Sequence, residues 1–518
     1  MQCDVIVVGL GPVGATVANL LGTAGLRTLV VERQHGIDPR PRAIAIDEDA
    51  LRVWQRVGLL EPMLKHLHTR VSLHLRHRDR IFLSCALEGR GRQGLPGTSF
   101  FHQPRLEQTL REALPGCVQV LSGHSLSAIA QDAAGVTATL LREADGAAIE
   151  IRARALVGCD GGSSTTRKLL GIALPGQTLP EPWIDIQAHA ADPEHNSGGD
   201  PAAQLDFSFI ADPARPGAEC LTPGGLRRWE FRLRRDEDPR QANTPAGIAR
   251  LLVARGVDPA TIEIVQSWVY VFHVRQAERF REGRVFLCGD AAHLMPPFAG
   301  QGLSSGIRDA GNLCWKLAAV LAGEAPDSLL DSYETERRPN IETVTRFSQH
   351  VGALVMVRHE PLANLRDAAC RIAVRLPGLG HRIRHFHIKP EWVSGPGWFA
   401  AKRARRSPAG RLLCQPWVLT ASGHRRRLDD LLGSGWSYLT WDDGDGMPAH
   451  LRRFGVRALR VFPRRHSWQE LGADGVVECE DRLHAQFRAH RATGLLVRPD
   501  RFIYGSNRDD LAKALDLA

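Results

Sequence analysis

Three short apolar runs in this 518-residue chain each deliver a single acid: TLVVE ends in Glu32, ALVGCD in Asp160 and VFLCGD in Asp290. A carboxylate at the tip of a buried strand accepts hydroxyl donors, and each charge-assisted bond of that kind contributes about 1.5–3 kcal/mol. Glycines beside it let backbone approach a ligand closely, and a helix that starts there offers free N–H groups to an anion. The chemistry this suggests is capture of a long, hydroxylated, phosphate-bearing ligand.

The elements around the first acid are legible. Val5–Val8 is a continuous apolar run, the pattern of a parallel strand covered on both faces. Gly9-Leu10-Gly11-Pro12-Val13-Gly14 follows. In such a turn the first glycine permits the bend, the second admits a pyrophosphate and the third lets helix pack on strand. Glu32 stands 18 residues beyond Gly14, at the end of the next strand. There it can accept the hydroxyls of an adenosine ribose and repel a 2′-phosphate. This turn alone does not separate NAD from FAD. Three such strand tips, far apart in sequence, suit FAD, whose ribityl hydroxyls need acceptors beyond the pyrophosphate.

After Asp290 the chain bends through Pro296 and Pro297, which remove two N–H groups and stiffen a dry wall. A helix then opens near Leu303, with Ile307, Ala310, Leu313, Leu317 and Leu321 on its inner face. Its positive end would favour the electron-rich pyrimidine edge of a reduced flavin. His293, in the same loop, is expected to make a structural hydrogen bond.

The three turns, at 9–14, CDGGSSTTR (159–167) and CGDAAHLMPP (288–297), resemble the fingerprints of class A flavin-dependent aromatic hydroxylases. PRAIAIDEDALRVWQRVGL (41–59), HQPRLEQTL (102–110), GQGLSSGIRDAGNLCWKL (300–317) and SYETERRP (332–339) are similar to the branch of that family acting on 3-(3-hydroxyphenyl)propionate. The resemblance implies that Gly9, Gly11, Pro12, Gly14, Glu32 and Arg33 hold the ADP half of FAD. It places Arg42 and Gln103 at the cofactor's middle, Asp160 and Gly161 near the pyrophosphate, and Gly289 and Asp290 at the ribityl chain. Pro297 would back the isoalloxazine ring, with Gly300, Gly302, Leu303 and Ser304 under its pyrimidine edge. Relatives more often carry Asn at position 304, a departure that backbone N–H binding would tolerate. NADH or NADPH and O2 are the implied co-substrates, the nicotinamide binding transiently, and hydroxylation runs through a flavin C4a-hydroperoxide.

The implied substrate is a small phenolic aromatic acid, hydroxylated ortho to the phenol. The same chemistry on a polycyclic or polyketide phenol is the alternative, and a non-catalytic flavin-binding redox sensor is the alternative of another class. The substrate region is expected between Asp160 and Asp290. In LRRWEFRLRR (226–235), Trp229, Phe231 and Leu233 alternate with Arg228, Glu230, Arg232 and Arg234, a half-buried strand pattern; WIDIQAHA (183–190) and SWVYVFHVRQA (267–277) read as companion strands. Tyr270, His273 and Arg275, just before the flavin loop, are the candidate catalytic residues, together with Pro297.

Composition excludes several other classes. Ten scattered cysteines without a CxxC pair read as reduced thiols in a cytoplasmic protein. No apolar run is long enough to span a membrane, and no His or Cys spacing suggests a metal. The net charge of +9 gathers in AKRARR (401–406), HRRR (424–427) and FPRRH (462–466). Without interleaved aromatics these read as solvated faces, not nucleic-acid contacts.

The expected architecture is α/β: a Rossmann-like FAD-binding domain interleaved with a mixed or antiparallel substrate sheet, plus a redox-inert thioredoxin-like C-terminal domain. The boundaries expected are 1–175 and 283–386 for the FAD domain and its helical segment, and 176–282 for the substrate sheet. A linker would span 387–410 and the last domain 411–518, where packing or homodimer contact is the expected role.

Overall fold

The computed structural model describes residues 3–511, apart from 88–90, 191–204, 224, 401–406, 443, 445, 453–454, 508 and 510. The basic cluster at 401–406 therefore lies outside the described residues.

The nucleotide sheet has six strands in the order Arg281–Glu282, Val285–Leu287, Ala155–Gly158, Val5–Val8, Thr28–Glu32 and Val118–Ser122. The last five run parallel. Val5 and Val7 point to one face, under the helices Pro12–Thr23 and Gly302–Leu321. Ile6 and Val8 point to the other, where a three-stranded antiparallel sheet (124–153) covers them. Burial on both faces is why these strands read as unbroken apolar runs. Ala155–Gly158 pairs with both Val5–Val8 and Val285–Leu287, with Val8 opposite Gly158 and Gly158 opposite Leu287. That register carries Gly9, Asp160 and Asp290 to one edge of the sheet.

The substrate sheet has seven strands in the order Ile262–Tyr270, Trp183–Ala190, Arg227–Arg232, Gly217–Leu221, Leu205–Ile210, Val71–His77 and Arg80–Ala86. Among the described residues its only parallel pairing joins Leu205–Ile210 to Val71–His77. Two strands thus come from residues 71–86, inside the span assigned to the FAD domain, so the sheets do not follow the expected boundaries at 175 and 282. The strand His273–Gln276 leaves this sheet for a separate small one, with Gly176–Thr178 and His293–Leu294. Trp229, Phe231 and Leu233 pack, as the alternation requires, against the helix Pro245–Val253. Arg228 and Arg232 are buried too, because the opposite face is covered and does not meet solvent.

The helix Gly302–Leu321 is buried along most of its length. Its apolar face is the expected one, and its polar face is sealed by ion pairs. Arg308 pairs with Asp47 and Asp49, Asp309 with Arg337, and Lys316 with Glu336.

The C-terminal region is a mixed seven-stranded sheet with its own core. Its elements include the strand Arg457–Phe462, the helix Arg482–His490 and two strands within 494–506, Gly494–Val497 and Ile503–Ser506. It joins the rest of the molecule through the buried pairs Arg52–Asp429 at 2.7 Å and Arg498–Glu336 at 2.8 Å. The expected linker does not behave as one where it is described. Trp392 and Ala400 are buried, Lys389 Nζ lies 2.6 Å from Asp47, and Gly395 N donates to the Glu336 carbonyl. Its glycines and charges suggested a free tether, but its aromatic residues and ion pairs bind it as a strap. All ten cysteines are free thiols. No helix among the described residues is long and apolar enough to cross a membrane.

Candidate active site

A cavity of about 660 Å³ lies along the edge where the three strand tips meet. Glu32, Arg33 and Gln34 line one end; Gly9, Gly11, Pro12, Asp160, Gly161 and Asp290 line its middle. Pro297, Gly300, Gly302 and Leu303 line the far end, which opens toward the substrate sheet. The glycines are cut to this shape. A Cβ on Gly14 would stand 1.9 Å from the Gly9 carbonyl oxygen, and one on Gly9 would stand 2.6 Å from that of Cys159. A Cβ on Gly11 would meet nothing within 4 Å, so it would project into open cavity. Gly14 thus serves packing and does not line the cavity. No side chain caps the helix at Pro12, and its first turn carries no acid, leaving N–H groups free for an anion.

Several of the expected polar residues shape the site from behind. Glu32 accepts from Leu10 N at 2.7 Å and Gln34 N at 2.9 Å, which fixes the glycine turn to the second strand. Gln103 Oε1 accepts from the backbone N–H groups of Arg42 and Ala43, both at 2.9 Å. Asp160 accepts from Ser164 Oγ at 2.6 Å and Thr166 N at 2.9 Å, closing its own turn. Asp290 has no such partner. Its side chain exposes surface to the cavity while protein surrounds it, and burial raises its carboxyl above the usual range, with His293 and Arg42 partly offsetting this. His293 is structural, as expected, but its partner is Asp309 at 2.7 Å on the following helix.

At the far end, Gly300 adopts φ +61°, a left-handed conformation that turns the chain from the proline wall into the helix. That helix starts at Gly302 without a side-chain cap or an acid in its first turn. Ser304 is fully buried, 3.3 Å from the amide of Asp47, and Gly289 packs against Val13; neither lines the cavity. Gln301 lines it and accepts from Arg308 at 3.2 Å. Burial alone would raise the Asp47 carboxyl, but Arg308 and Lys389 outweigh that and hold it well below the usual range.

The wall contributed by the substrate sheet is aromatic with one charged spot. Trp183 and Phe272 have ring centroids 5.3 Å apart, and Phe272 and Phe298 5.5 Å. Among these rings Arg228 contacts Asp185 and lies 2.8 Å from Glu230, which accepts from the Tyr270 hydroxyl at 2.7 Å. Burial pushes the Asp185 carboxyl up to about 7; Arg228 opposes this and the Glu230 charge adds to it. Arg228 and Glu230 line the cavity, whereas Tyr270 stands one bond behind them. The expectation fails for His273 and Arg275. Both hydrogen-bond Thr178 Oγ1 at 2.9 Å in the small outer sheet and do not line the cavity. The strand break after Tyr270 turns them away. Sequence reasoning passed over Arg228 and Glu230 as solvent-facing. The available signal was the acid Asp185 in the middle of an adjacent apolar strand, which has no reason to be there without a cation opposite.

Family comparison agrees with this geometry. The FAD binding domain family matches residues 2–348, and the HcaD C-terminal domain matches 410–517. A 3-(3-hydroxy-phenyl)propionate/3-hydroxycinnamic acid hydroxylase of Mycobacterium sp. (strain KMS) is 38% identical, over 97% of this chain and 88% of its own. One of the same name from Comamonas testosteroni is 33% identical, over 97% and 94%. The chain belongs to the FAD-dependent aromatic hydroxylases. Solved structures similar to this hydroxylase include aklavinone-11 hydroxylase in ternary complex with FAD and aklavinone, at TM-score 0.77 and 25% identity over 99% of this chain and 97% of that one. The rebeccamycin biosynthetic enzyme RebC with reduced flavin has TM-score 0.78 and 26% identity, over 100% and 99%. FAD is the cofactor of this hydroxylase, and the residues present fit it: the Gly11 cradle, two uncapped helix starts and the unpartnered Asp290 all face one elongated cavity.

Proposed function

We propose that this hydroxylase acts on a small phenolic aromatic acid of the 3-(3-hydroxyphenyl)propionate or 3-hydroxycinnamate type, ortho to the phenol, with O2 and NADH or NADPH. The observation that carries the reading is the charged spot of Arg228 and Glu230 set among aromatic rings at the Pro297 end of the cavity. The names of the relatives support the substrate class. Bound FAD supplies the transfer of electrons from the nicotinamide to oxygen. Gly9, Gly11, Pro12, Glu32 and Arg33 would hold its ADP half, Arg42, Gln103, Asp160, Gly161 and Asp290 its middle, and Gly300, Gly302 and Leu303 its ring end, with Gly14, Gly289 and Ser304 shaping the turns from behind.

The chain's own part is to bind the ring, activate it and keep water out. Trp183, Phe207, Phe209, Phe272 and Phe298 sandwich the aromatic ring, and Pro297 excludes water without offering a donor. Glu230 accepts the phenolic proton through a free lone pair, and Arg228 stabilises the phenolate oxygen left behind. Tyr270 is a positioning residue that orients Glu230 through its 2.7 Å hydrogen bond.

One observation favours the second reading, a polycyclic phenol. Arg228 is already faced by two carboxylates, so the wall holds no uncompensated cation for a substrate acid group. The aklavinone complex of a similar structure accords with this. The C-terminal sheet reads as thioredoxin-like, and without a CxxC pair it serves as a buttress in a cytoplasmic enzyme. The test is a panel of phenolic acids and polycyclic phenols, scored for substrate-stimulated NAD(P)H oxidation and for product against peroxide. Tight coupling on a hydroxyphenylpropionate supports the proposal, and coupling only on a polycyclic phenol moves it to the second reading. A yellow protein that no phenol accelerates would be a flavin-binding sensor instead.

A further inference from the structure

Trp392, in the strap that precedes the C-terminal sheet, is buried and meets Phe502 of that sheet edge-on, with ring centroids 5.0 Å apart. Two guanidiniums lie over the same indole, those of Arg308 and Arg337, each 5.6 Å from the ring centroid. Each leads on to the FAD cavity. Arg308 makes its hydrogen bonds through Nη2 alone, to Asp47, to Asp49 at 3.0 Å and to Gln301 Oε1 at 3.2 Å, and Gln301 lines the cavity beside the helix start at Gly302. Arg337 Nε donates to Asp309 Oδ1 at 2.7 Å, and Asp309 Oδ2 accepts from Gly289 N at 3.1 Å, one residue before Asp290. Lys389, three residues upstream in the strap, ties Asp47 at 2.6 Å.

We infer that Trp392 is a positioning residue for the flavin. Its ring fixes the two guanidiniums that set the anchor points of the cofactor's ring half, the helix start through Gln301 and the loop at Asp290 through Asp309 and Gly289. The inference rests on the placement of FAD proposed above. An aromatic face suits this task better than any other side chain. Nε and Nη1 of the buried Arg308 have no hydrogen-bond acceptor among the described residues, and a π face attracts that cation where bare hydrocarbon would leave its N–H groups uncompensated. A further carboxylate would compete with Gln301 for Nη2, whereas the ring adds attraction without adding an acceptor. Because one indole serves both arginines, the strap couples the two anchor points to each other and to the C-terminal sheet behind Phe502. Lys389 completes the clamp by holding Asp47, the carboxylate that orients Arg308.

The test is FAD titration of the full-length chain by flavin fluorescence quenching, with visible circular dichroism of the bound flavin and a thermal melt of each apoprotein, for wild type, Trp392→Phe, Trp392→Leu and Lys389→Met. Both Trp392 variants lose packing and should melt lower than wild type by similar amounts. Only Trp392→Leu loses the aromatic face, so it alone should raise the Kd for FAD about tenfold and alter the flavin dichroism. Trp392→Phe should bind within about threefold of wild type. Lys389→Met, at a partly exposed position, should weaken FAD binding by a smaller factor with little change in melting, which reads the clamp even if Trp392→Leu does not fold. Equal FAD affinity and dichroism in Trp392→Leu and Trp392→Phe would overturn the inference, since packing alone would then explain the residue. So would a wild-type Kd in Lys389→Met where Trp392→Leu does not fold. Asp290→Ala, measured alongside, separates the two claims: if it is empty while Trp392→Leu binds FAD normally, the clamp falls and the cofactor's placement stands, and if it too retains FAD, both fall.

Discussion

Replacing Gly11 and Gly14 separately by alanine divides the glycine turn into its two functions. At Gly14 the new Cβ would lie 1.9 Å from the Gly9 carbonyl oxygen and 2.9 Å from its carbon, and both neighbours are backbone that no rotamer change can move. The helix must shift away from the first strand, at a cost of about 1–3 kcal/mol or more for forced overpacking. Gly11 is the opposite case. Its φ of −68° suits any residue and its Cβ would have no neighbour within 4 Å, so the apoprotein should fold as the wild type does. The added methyl instead occupies space that a pyrophosphate must enter. Losing even two good phosphate contacts raises Kd by about 100-fold, or roughly 2.7 kcal/mol. The assay is a thermal melt of each apoprotein, followed by FAD titration monitored through quenching of flavin fluorescence. Gly14→Ala should lower the apoprotein melting temperature by several degrees, and Gly11→Ala should leave it in place while weakening FAD binding. Wild-type FAD affinity in Gly11→Ala would refute the reasoning, because the open space beside Gly11 would then not be where the phosphates lie.

Four further outcomes follow from the same geometry. Asp290→Ala should give folded protein largely empty of FAD by its absorbance, and full cofactor retention would contradict the role of the one unpartnered acid in the cavity. Glu230→Gln should keep FAD but lower kcat about 100-fold, as expected for loss of a general base, with Tyr270→Phe showing a smaller loss; an unchanged kcat in both would remove them from the reaction. Asp185 has its carboxyl pushed up to about 7 from an ordinary 3.8, so the folded state holds a proton that the unfolded chain releases. Its contribution to stability is complete below about 3.8 and lost as pH rises to about 7, so wild type should lose on the order of a few kcal/mol relative to Asp185→Asn across that range. Denaturant midpoints at several pH values check this, and a pH-independent difference would show that Asp185 does not titrate there. Arg52→Ala should cost about 3 kcal/mol by removing the nearer of the two arginines paired with buried Asp429 and leaving only Arg501 at 3.4 Å, read as a lowered melting temperature.

The nucleotide half was legible because its signals are local. A buried strand reads as an apolar run, a tight turn needs glycine, and the acid follows within a residue or two, so Gly9, Asp160 and Asp290 could be named before their strands were known to be neighbours. The substrate half was less legible because its meaning depends on what covers each sheet face. Arg228, Glu230 and Arg232 have the periodicity of a solvated face, and only remote partners make that face an interior: the Arg42 carbonyl and Asp185 at Arg228, Tyr270 at Glu230, and Glu181 near Arg232. His273 and Arg275 were misplaced for a related reason, since the run from 267 to 277 looks like one strand and the chain changes sheets after Tyr270. The polar face of Gly302–Leu321 shows the same limit. Arg308, Asn312 and Lys316 look solvated in sequence, yet their partners Asp47, Glu336 and Asp500 come from remote segments.

The most direct test of the central claim is turnover of the FAD-loaded enzyme with NAD(P)H and 3-(3-hydroxyphenyl)propionate under oxygen-18 gas, with the product analysed by mass spectrometry. One labelled oxygen atom on the ring carbon ortho to the phenol, formed in step with NAD(P)H consumption, is the predicted result. Unlabelled product, or NAD(P)H consumption that yields only peroxide with every phenol offered, would contradict the assignment of this cavity to aromatic hydroxylation.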